Sequence, residues 1–156
     1  MTFDHDSSAG YIVNKAARLF ARELEAGIRP LGIGLGVFPA LLLLWQKDGQ
    51  TQRDLVERLA VEQPTMAATL ARMERDGLIT RRRDDADARV QRIHLTARAR
   101  ALEKAATAAA ARVNDAALAA LDGAERAMLL ALLWRVIGAL DTTAPPDAAT
   151  AGHSGP

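Results

Sequence analysis

The strongest constraint on the fold is a pair of short helices in the middle of the chain, separated by a break at 61–63. Thr51 and Asp54 have the spacing of a capping box, in which the hydroxyl caps free amides and the acid favours the helix dipole. Pro64 suits the first turn of a second helix, because its missing N–H is not needed there, and Gly77 stops that helix. The pattern predicts helices over 51–60 and 64–76, with these core-facing residues: Leu55, Leu59 and Ala60, then Met66, Leu70 and Met73.

Two short segments with strand character, 78–82 and 90–95, follow the second helix and enclose a polar connection. Helix, break, helix and two strands is the order of a winged helix-turn-helix. In that motif the second helix enters the major groove of DNA and the hairpin, or wing, reaches a flanking minor groove. The outward face of the second helix then presents Thr65, Ala68, Thr69, Arg72 and Arg75.

The distribution of charge favours DNA as the partner. The whole chain carries a net charge of only +1. Residues 72–100, however, contain nine arginines and five acids, a net +4, which leaves −3 for the remainder. The patch includes Arg82 and Arg83 at the start of the wing. A solvated amphipathic surface is the alternative, but a basic patch that continues from a helix-turn-helix into its wing is typical of DNA binding.

The remaining helical segments flank this unit. Periodicity and capping signals predict helices over 11–28, 38–47, 97–121 and 125–140, and 33 alanines favour helix throughout. The predicted fold is therefore mostly α with a small β-hairpin wing (α+β). In the last helix only Arg135 is charged between residues 128 and 140. Such a segment is either a central core helix or a subunit interface, and its place near the chain end favours the interface.

The residues needed for catalysis are missing. Without cysteine the chain has no disulfide, thiolate metal site or redox-sensing thiol. His5, His94 and His153 form no metal-binding helix pair, and no serine lies in a Gly-x-Ser-x-Gly turn. The acids at 84, 85 and 87 suit turn chemistry better than acid–base chemistry. The sequence predicts a protein that is not an enzyme and has no cofactor or metal.

Composition at the two ends sets the predicted domain bounds. Residues 1–10 are acidic without the features of a signal peptide, and an Ala/Thr/Pro/Gly tail follows Asp141. We expect a flexible N-terminus over 1–10, one domain over 11–141 and a disordered tail over 142–156. The uncharged stretch 30–46 is too short and too rich in glycine to span a membrane. A cytoplasmic protein without membrane contact is the resulting expectation.

Several motifs together resemble the MarR family of bacterial transcriptional regulators. They are residues 36–45, 49–55 and 61–79, the wing segment 87–89 and the strand end 93–96. The resemblance extends over about 11–140 and implies a winged helix over 36–96 flanked by dimerisation helices over 11–29 and 97–140. It also implies a homodimer, each protomer of which offers one winged helix to half of a near-palindromic operator.

The resemblance assigns roles to individual residues. Pro64, Thr65, Ala68, Thr69 and Arg72 would meet the major groove and nearby phosphates. Arg89 would enter the minor groove, with Asp87 holding the wing through an ion pair within it. Ala88 departs from the arginine that is common in the family, which puts one DNA contact in doubt, and Ala99 departs from a common glycine.

The family also implies a repressor that a small aromatic or lipophilic effector releases from DNA. Phe20, Phe38 and Trp45 are the candidate effector-binding residues, with plain core packing as the alternative for each. Thiol oxidation, the switch of one branch of the family, is excluded by the absence of cysteine. A rival function is an interaction module, either a helical dimer whose winged helix binds protein or a ligand-binding protein without an operator.

Overall fold

The computed structural model describes residues 4–141 and gives a mostly helical chain with a small antiparallel sheet. The helices are α1 Ala9–Ile28, α2 Phe38–Gln46, α3 Gln52–Leu59, α4 Gln63–Arg75, α5 Ala97–Ala117 and α6 Gly123–Leu140. The strands are β1 Gln50–Thr51, β2 Ile79–Arg83 and β3 Gln91–Leu95. The predicted fold class is confirmed. The predicted disordered tail and the first three residues lie outside the described residues.

Side-chain caps set where several helices begin. Thr51 and Asp54 form the predicted capping box at α3, and Asp122 and Glu125 form one at α6. The Ser8 side chain accepts a hydrogen bond from the Tyr11 N–H, so α1 begins at Ala9, two residues before the predicted start. Later in the chain, α5 ends at Ala117, about four residues earlier than predicted.

The sheet has the strand order β1–β3–β2, with every neighbouring pair antiparallel. Ile79 lies opposite Leu95 and Arg83 opposite Gln91, which aligns the two wing strands along their full length. Gln50 of β1 lies opposite Ile93 on the other side of β3. The alternation pattern does not predict β1, because two residues are too few to show it.

The core lies where α2, α3 and α4 meet the sheet and the first half of α5. It includes Leu41, Leu44 and Leu55, and the predicted inward positions Met66, Leu70 and Met73 are confirmed as buried. Ala60, predicted to face the core, is exposed instead. It has a left-handed φ of +50°, because it ends α3 and does not extend its inner face. Leu59 is half-buried against the core.

The terminal helices bury much less surface. Gly27 of α1 packs closely on α5, since a Cβ built at Gly27 would lie 3.1 Å from the Cβ of Ala109. Ile28 is the buried residue of α1, whereas Val13, predicted on its inner face, is 45% exposed. The residues of α1 that reach the core, Leu24 and Ile28, lie near its C-terminal end, so the first turns of the helix stay outside the core. None of the described helices is both long and apolar enough to cross a membrane.

Candidate nucleic-acid interface

The outward face of α4 carries the predicted major-groove residues. Because Met66, Leu70 and Met73 point into the core, the opposite side of the helix is left to solvent. Exposed side chains on that side are Pro64, Thr65, Ala68, Arg72 and Arg75, and Thr69 is half-buried. Small and hydroxyl-bearing residues near the helix start allow a close approach, and the two arginines follow toward its end.

The two arginines of α4 differ in their availability. Arg75 pairs with its neighbour Asp76, with 3.1 Å between Nε and Oδ1. Arg72 forms no hydrogen bond or ion pair through its side chain within residues 4–141, and its Nη1 lies 3.4 Å from where a Cβ at Gly36 would stand. A free guanidinium on this face has all its donors available for a base edge or a phosphate.

The wing extends the basic surface beyond α4. Arg82 and Arg83 at the end of β2, and Arg89 in the turn, are exposed. None of these three side chains has a hydrogen-bonding or ionic partner in the part of the chain that the structure describes. The structure therefore places α4 and an arginine-rich hairpin in succession, joined by the turn at Gly77, whose φ is +68°.

The ion pair of the wing is not the one that the resemblance implied. Asp87 forms no ion pair within the described residues, and its Oδ1 instead accepts a hydrogen bond from the Arg89 N–H at 3.0 Å. Asp84 pairs with Arg92, and its other oxygen accepts from the N–H groups of Ala86 and Asp87. As predicted, acidic side chains shape the turn, since Asp84 and Asp87 accept hydrogen bonds from its backbone amides. Which acid pairs with Arg92 depends on strand register, and the spacing of acids in the sequence does not reveal that.

Hydrogen bonding to the ionised form lowers the pKa of two carboxyl groups around the wing. For Asp84 the main cause is the Arg92 guanidinium, followed by the amides of Ala86 and Asp87. For Asp48, partial burial opposes ionisation, but hydrogen bonds from the Leu95 N–H, Arg100 and His94 outweigh it and lower the pKa. Asp48 Oδ2 lies 2.8 Å from Arg100 Nη2 and 3.2 Å from His94 Nδ1. Sequence patterns gave no sign of this cluster, since its members are far apart in the chain.

Two of the three candidate effector-binding residues line cavities. Phe20 and Phe38 border a cavity of about 230 Å³ between α1, α2 and α5, together with Leu24 and Val113. Trp45 borders neither this cavity nor the larger one between α1 and α5. Its indole N–H donates to the Ala99 carbonyl at 3.0 Å and its ring packs edge-on against Phe38, which fits the core-packing alternative for this residue.

A larger cavity, of about 630 Å³, lies between α1 and the second half of α5. Its walls are mostly alanine, leucine and valine, with Phe20 on one side and the charged residues Glu23 and Arg112. Apart from Phe20, the residues of this cavity are not predictable from the sequence, because an alanine-rich helix gives no sign of which alanines leave space against a neighbour.

Helix α6 presents an apolar surface to solvent. None of its residues is buried, and Trp134 is 70% and Leu140 78% exposed. Met128, Leu130 and Ile137 are also exposed. Among residues 4–141 nothing covers α6, so it is not a central core helix of the described fold. An apolar surface of this kind marks an interaction site.

Known proteins match both the sequence and the fold of the chain. A family model, MarR family, matches residues 36–91. An organic hydroperoxide resistance transcriptional regulator of Bacillus subtilis is 32% identical over 97 residues, which cover 60% of this chain and 66% of that protein, just under two thirds. The HTH-type transcriptional repressor Rv2887 of Mycobacterium tuberculosis is 30% identical over 99 residues, 64% of this chain and 71% of the repressor.

Solved structures extend the match to the flanking helices. A probable transcriptional regulator from Pseudomonas aeruginosa is 30% identical, with a TM-score of 0.78 over 86% of this chain and all of that one. Rv2887 in complex with salicylic acid is 27% identical, with a TM-score of 0.65 over 83% and 96% of the two chains. These proteins are transcriptional regulators and not enzymes, as the sequence predicts. With its winged helix and arginine-rich recognition surface, this chain belongs to the MarR family of DNA-binding transcriptional regulators.

Proposed function

We propose that this protein is a homodimeric repressor that binds a near-palindromic operator and leaves it when a small aromatic or lipophilic effector binds. The observation that carries the proposal is the pair of free guanidinium groups, Arg72 on α4 and Arg89 in the wing. Arg72 would meet a base edge or phosphate in the major groove, and Arg89 would enter the minor groove. Around them, Pro64, Thr65, Ala68 and Thr69 would allow close approach, and Arg75, Arg82 and Arg83 would meet phosphates.

The apolar surfaces of α1 and α6 support the dimer. Tyr11, Ile12 and Val13 on α1 and Trp134 on α6 are 40% exposed or more in the single chain. Burying such surfaces between two copies removes apolar area from water and places two winged helices in one particle. A two-fold particle of this kind matches an operator whose halves are related by a two-fold axis.

The effector part of the proposal rests on the smaller cavity and on one relative. Rv2887, named a repressor, has been solved with salicylic acid. A cavity of about 230 Å³ bordered by Phe20 and Phe38 suits a single-ring ligand, since the pockets that hold drug-sized ligands are larger, roughly 300–1,000 Å³. To act as an effector, the ligand must bind the DNA-free geometry of the dimer better than the DNA-bound one.

DNA binding is tested by the salt dependence of affinity. The full-length protein is titrated onto the duplex upstream of its own gene, and onto duplexes selected from a random library, at several salt concentrations. We expect steep salt dependence. Arg89→Ala should reduce the magnitude of the log–log slope by about 0.9 for each phosphate that the arginine neutralises. Arg18→Ala, on α1, removes an exposed arginine that, like Arg89, has no side-chain partner among residues 4–141, and it should leave the slope as it is. Absence of binding at low salt would favour the interaction-module alternative.

Salicylate serves as the effector probe. We expect it to raise the melting temperature of the free protein and to weaken DNA binding. Ala110→Leu narrows the smaller cavity and should remove both effects, whereas Ala111→Leu, on the exposed side of α5, should retain them. If salicylate acts equally on both variants, this cavity is not its site.

A further inference from the structure

Arg92 occupies a central place in the sheet. On β3 it lies opposite Arg82 of β2 on one side and Thr51 of β1 on the other. Two arginines directly opposite each other repel, so this pairing needs a compensating anion. Asp84 supplies it through the contact between its Oδ2 and Arg92 Nε, while Arg92 Nη1 donates to the Gly49 carbonyl at 3.0 Å. One guanidinium therefore joins the wing to the turn that precedes α3.

Asp84 also accepts hydrogen bonds from the backbone at the tip of the wing. Its Oδ1 accepts hydrogen bonds from the N–H groups of Ala86 at 2.8 Å and Asp87 at 3.1 Å. Asp87 in turn accepts from the N–H of Arg89. The Asp84 side chain is only 10% exposed, although its partner Arg92 is 44% exposed. A continuous series of polar contacts thus runs from the Gly49 carbonyl to the backbone of Arg89.

The wing needs such support for a physical reason. Strand β1 pairs only with Arg92 and Ile93, so beyond Arg92 the wing is a two-stranded hairpin, and two strands alone are marginal in water. If the turn were free to move, DNA binding would have to order it, and that ordering entropy would reduce the affinity. Holding the turn in advance removes this cost.

We propose that Arg92 and Asp84 are positioning residues for DNA binding, which fix the wing turn that carries Arg89 through their contacts with Gly49, Ala86 and Asp87. This inference rests on the proposed role of Arg89 in the wing. It predicts that removing the Asp84 charge changes the DNA affinity in the direction opposite to the one that electrostatics alone predicts. Asp84→Asn removes an acid from a DNA-binding surface, so general electrostatics calls for tighter binding, whereas loss of positioning calls for weaker binding.

The test compares Asp84→Asn with Asp85→Asn in the full-length protein. The two changes remove the same charge at adjacent positions, but Asp85 is exposed and its side chain makes no hydrogen bond among residues 4–141. With the upstream duplex as the probe, we expect Asp84→Asn to bind about tenfold more weakly, the effect typical of removing a hydrogen bond to a charged group. Asp85→Asn should bind as tightly as wild type or more tightly. Arg92→Lys keeps the positive charge, but a lysine ammonium lacks the fork of donors that lets one guanidinium contact both Asp84 and the Gly49 carbonyl. This variant should therefore also weaken DNA binding.

Hydrogen exchange of the DNA-free protein provides a second readout. The amides of Ala86, Asp87 and Arg89 should exchange faster in Asp84→Asn and Arg92→Lys than in wild type or Asp85→Asn. Asp84→Asn binding as tightly as Asp85→Asn, or wing amides unchanged by the substitution, would overturn the inference. If wild type binds no duplex, the proposed function fails, and the exchange pattern alone then supports or overturns the role of the pair.

Discussion

The winged helix buries its apolar residues, whereas the terminal helices leave many of theirs exposed to solvent. In the winged helix, Leu55, Leu70 and Met73 are fully buried by neighbours from the same chain. In α6, the most apolar of the terminal helices, no residue is buried, and Trp134 is 70% exposed. The winged helix is thus buried by its own chain, whereas the terminal helices present an apolar surface that no other part of residues 4–141 covers. Substitutions in the two regions should therefore differ in what they disrupt.

The largest expected effect is on assembly. Trp134→Asp places a charge on the exposed apolar surface of α6, so it should cost about 4 kcal/mol of association free energy, roughly a thousandfold in the dissociation constant. Sedimentation equilibrium should show wild type at twice 16.7 kDa and the variant at 16.7 kDa. Ala71→Asp, an exposed position on α4, is the control and should remain dimeric. A wild-type mass of 16.7 kDa would contradict the proposed dimer.

The next effect is on the stability of the winged helix. Leu70→Ala opens a cavity in a fully buried site and should lower the free energy of unfolding by about 3 kcal/mol. Urea titrations followed by circular dichroism measure the decrease, which should persist when the protein is diluted until the dimer dissociates. Leu130→Ala, at a position 52% exposed in the single chain, should lose its effect on such dilution. Equal persistence of both decreases would mean that α6 packs within its own chain.

The sequence predicted features that depend on local spacing and missed those that depend on distant partners. Capping boxes at Thr51 and Asp122, and the i, i+4, i+7 pattern of α4, follow from short-range geometry and were confirmed. The hydrogen bond of Trp45 to Ala99 spans 54 residues, and the pairing of Arg92 with Asp84 depends on strand register. Neither leaves a pattern in the sequence, so spacing alone could not place the indole of Trp45, and the family resemblance assigned the ion pair of the wing to Asp87 instead of Asp84.

The two confirmed capping boxes allow a smaller and more local test. Thr51→Ala and Asp122→Ala each remove the side chain that caps a helix, at a cost of about 1 kcal/mol. Because α3 contributes Leu55 to the core, Thr51→Ala should lower the global free energy of unfolding. In a monomeric background such as Trp134→Asp, Asp122→Ala should mainly speed hydrogen exchange in the first turn of α6, since no residue of that helix is fully buried. Equal global effects would show that α6 unfolds together with the winged helix.

The smallest expected effect concerns Asp48, which joins the two regions. Its carboxylate accepts from the Leu95 N–H of the sheet and from Arg100 of α5. Since these bonds hold the pKa of Asp48 below the ordinary 3.8, its ionised form stabilises the folded protein above that pH. The contribution disappears as the pH falls through the lowered folded-state pKa, because both states are then protonated.

Asp48→Asn should therefore be less stable than wild type at pH 7, and the difference should shrink below pH 3.8. Urea titrations between about pH 2 and pH 7 measure it, a range that follows the whole titration of one carboxyl group. Asp54 and Asp84, whose pKa values are also lowered by hydrogen bonds, contribute equally to both proteins and cancel in the difference. Asp85→Asn is the control for the removal of a carboxylate without hydrogen bonds. If the difference in unfolding free energy stays constant down to about pH 2, the ionised state of Asp48 does not contribute to stability. The hydrogen bonds of Asp48 to the sheet and to α5 would then stabilise the fold independently of its charge.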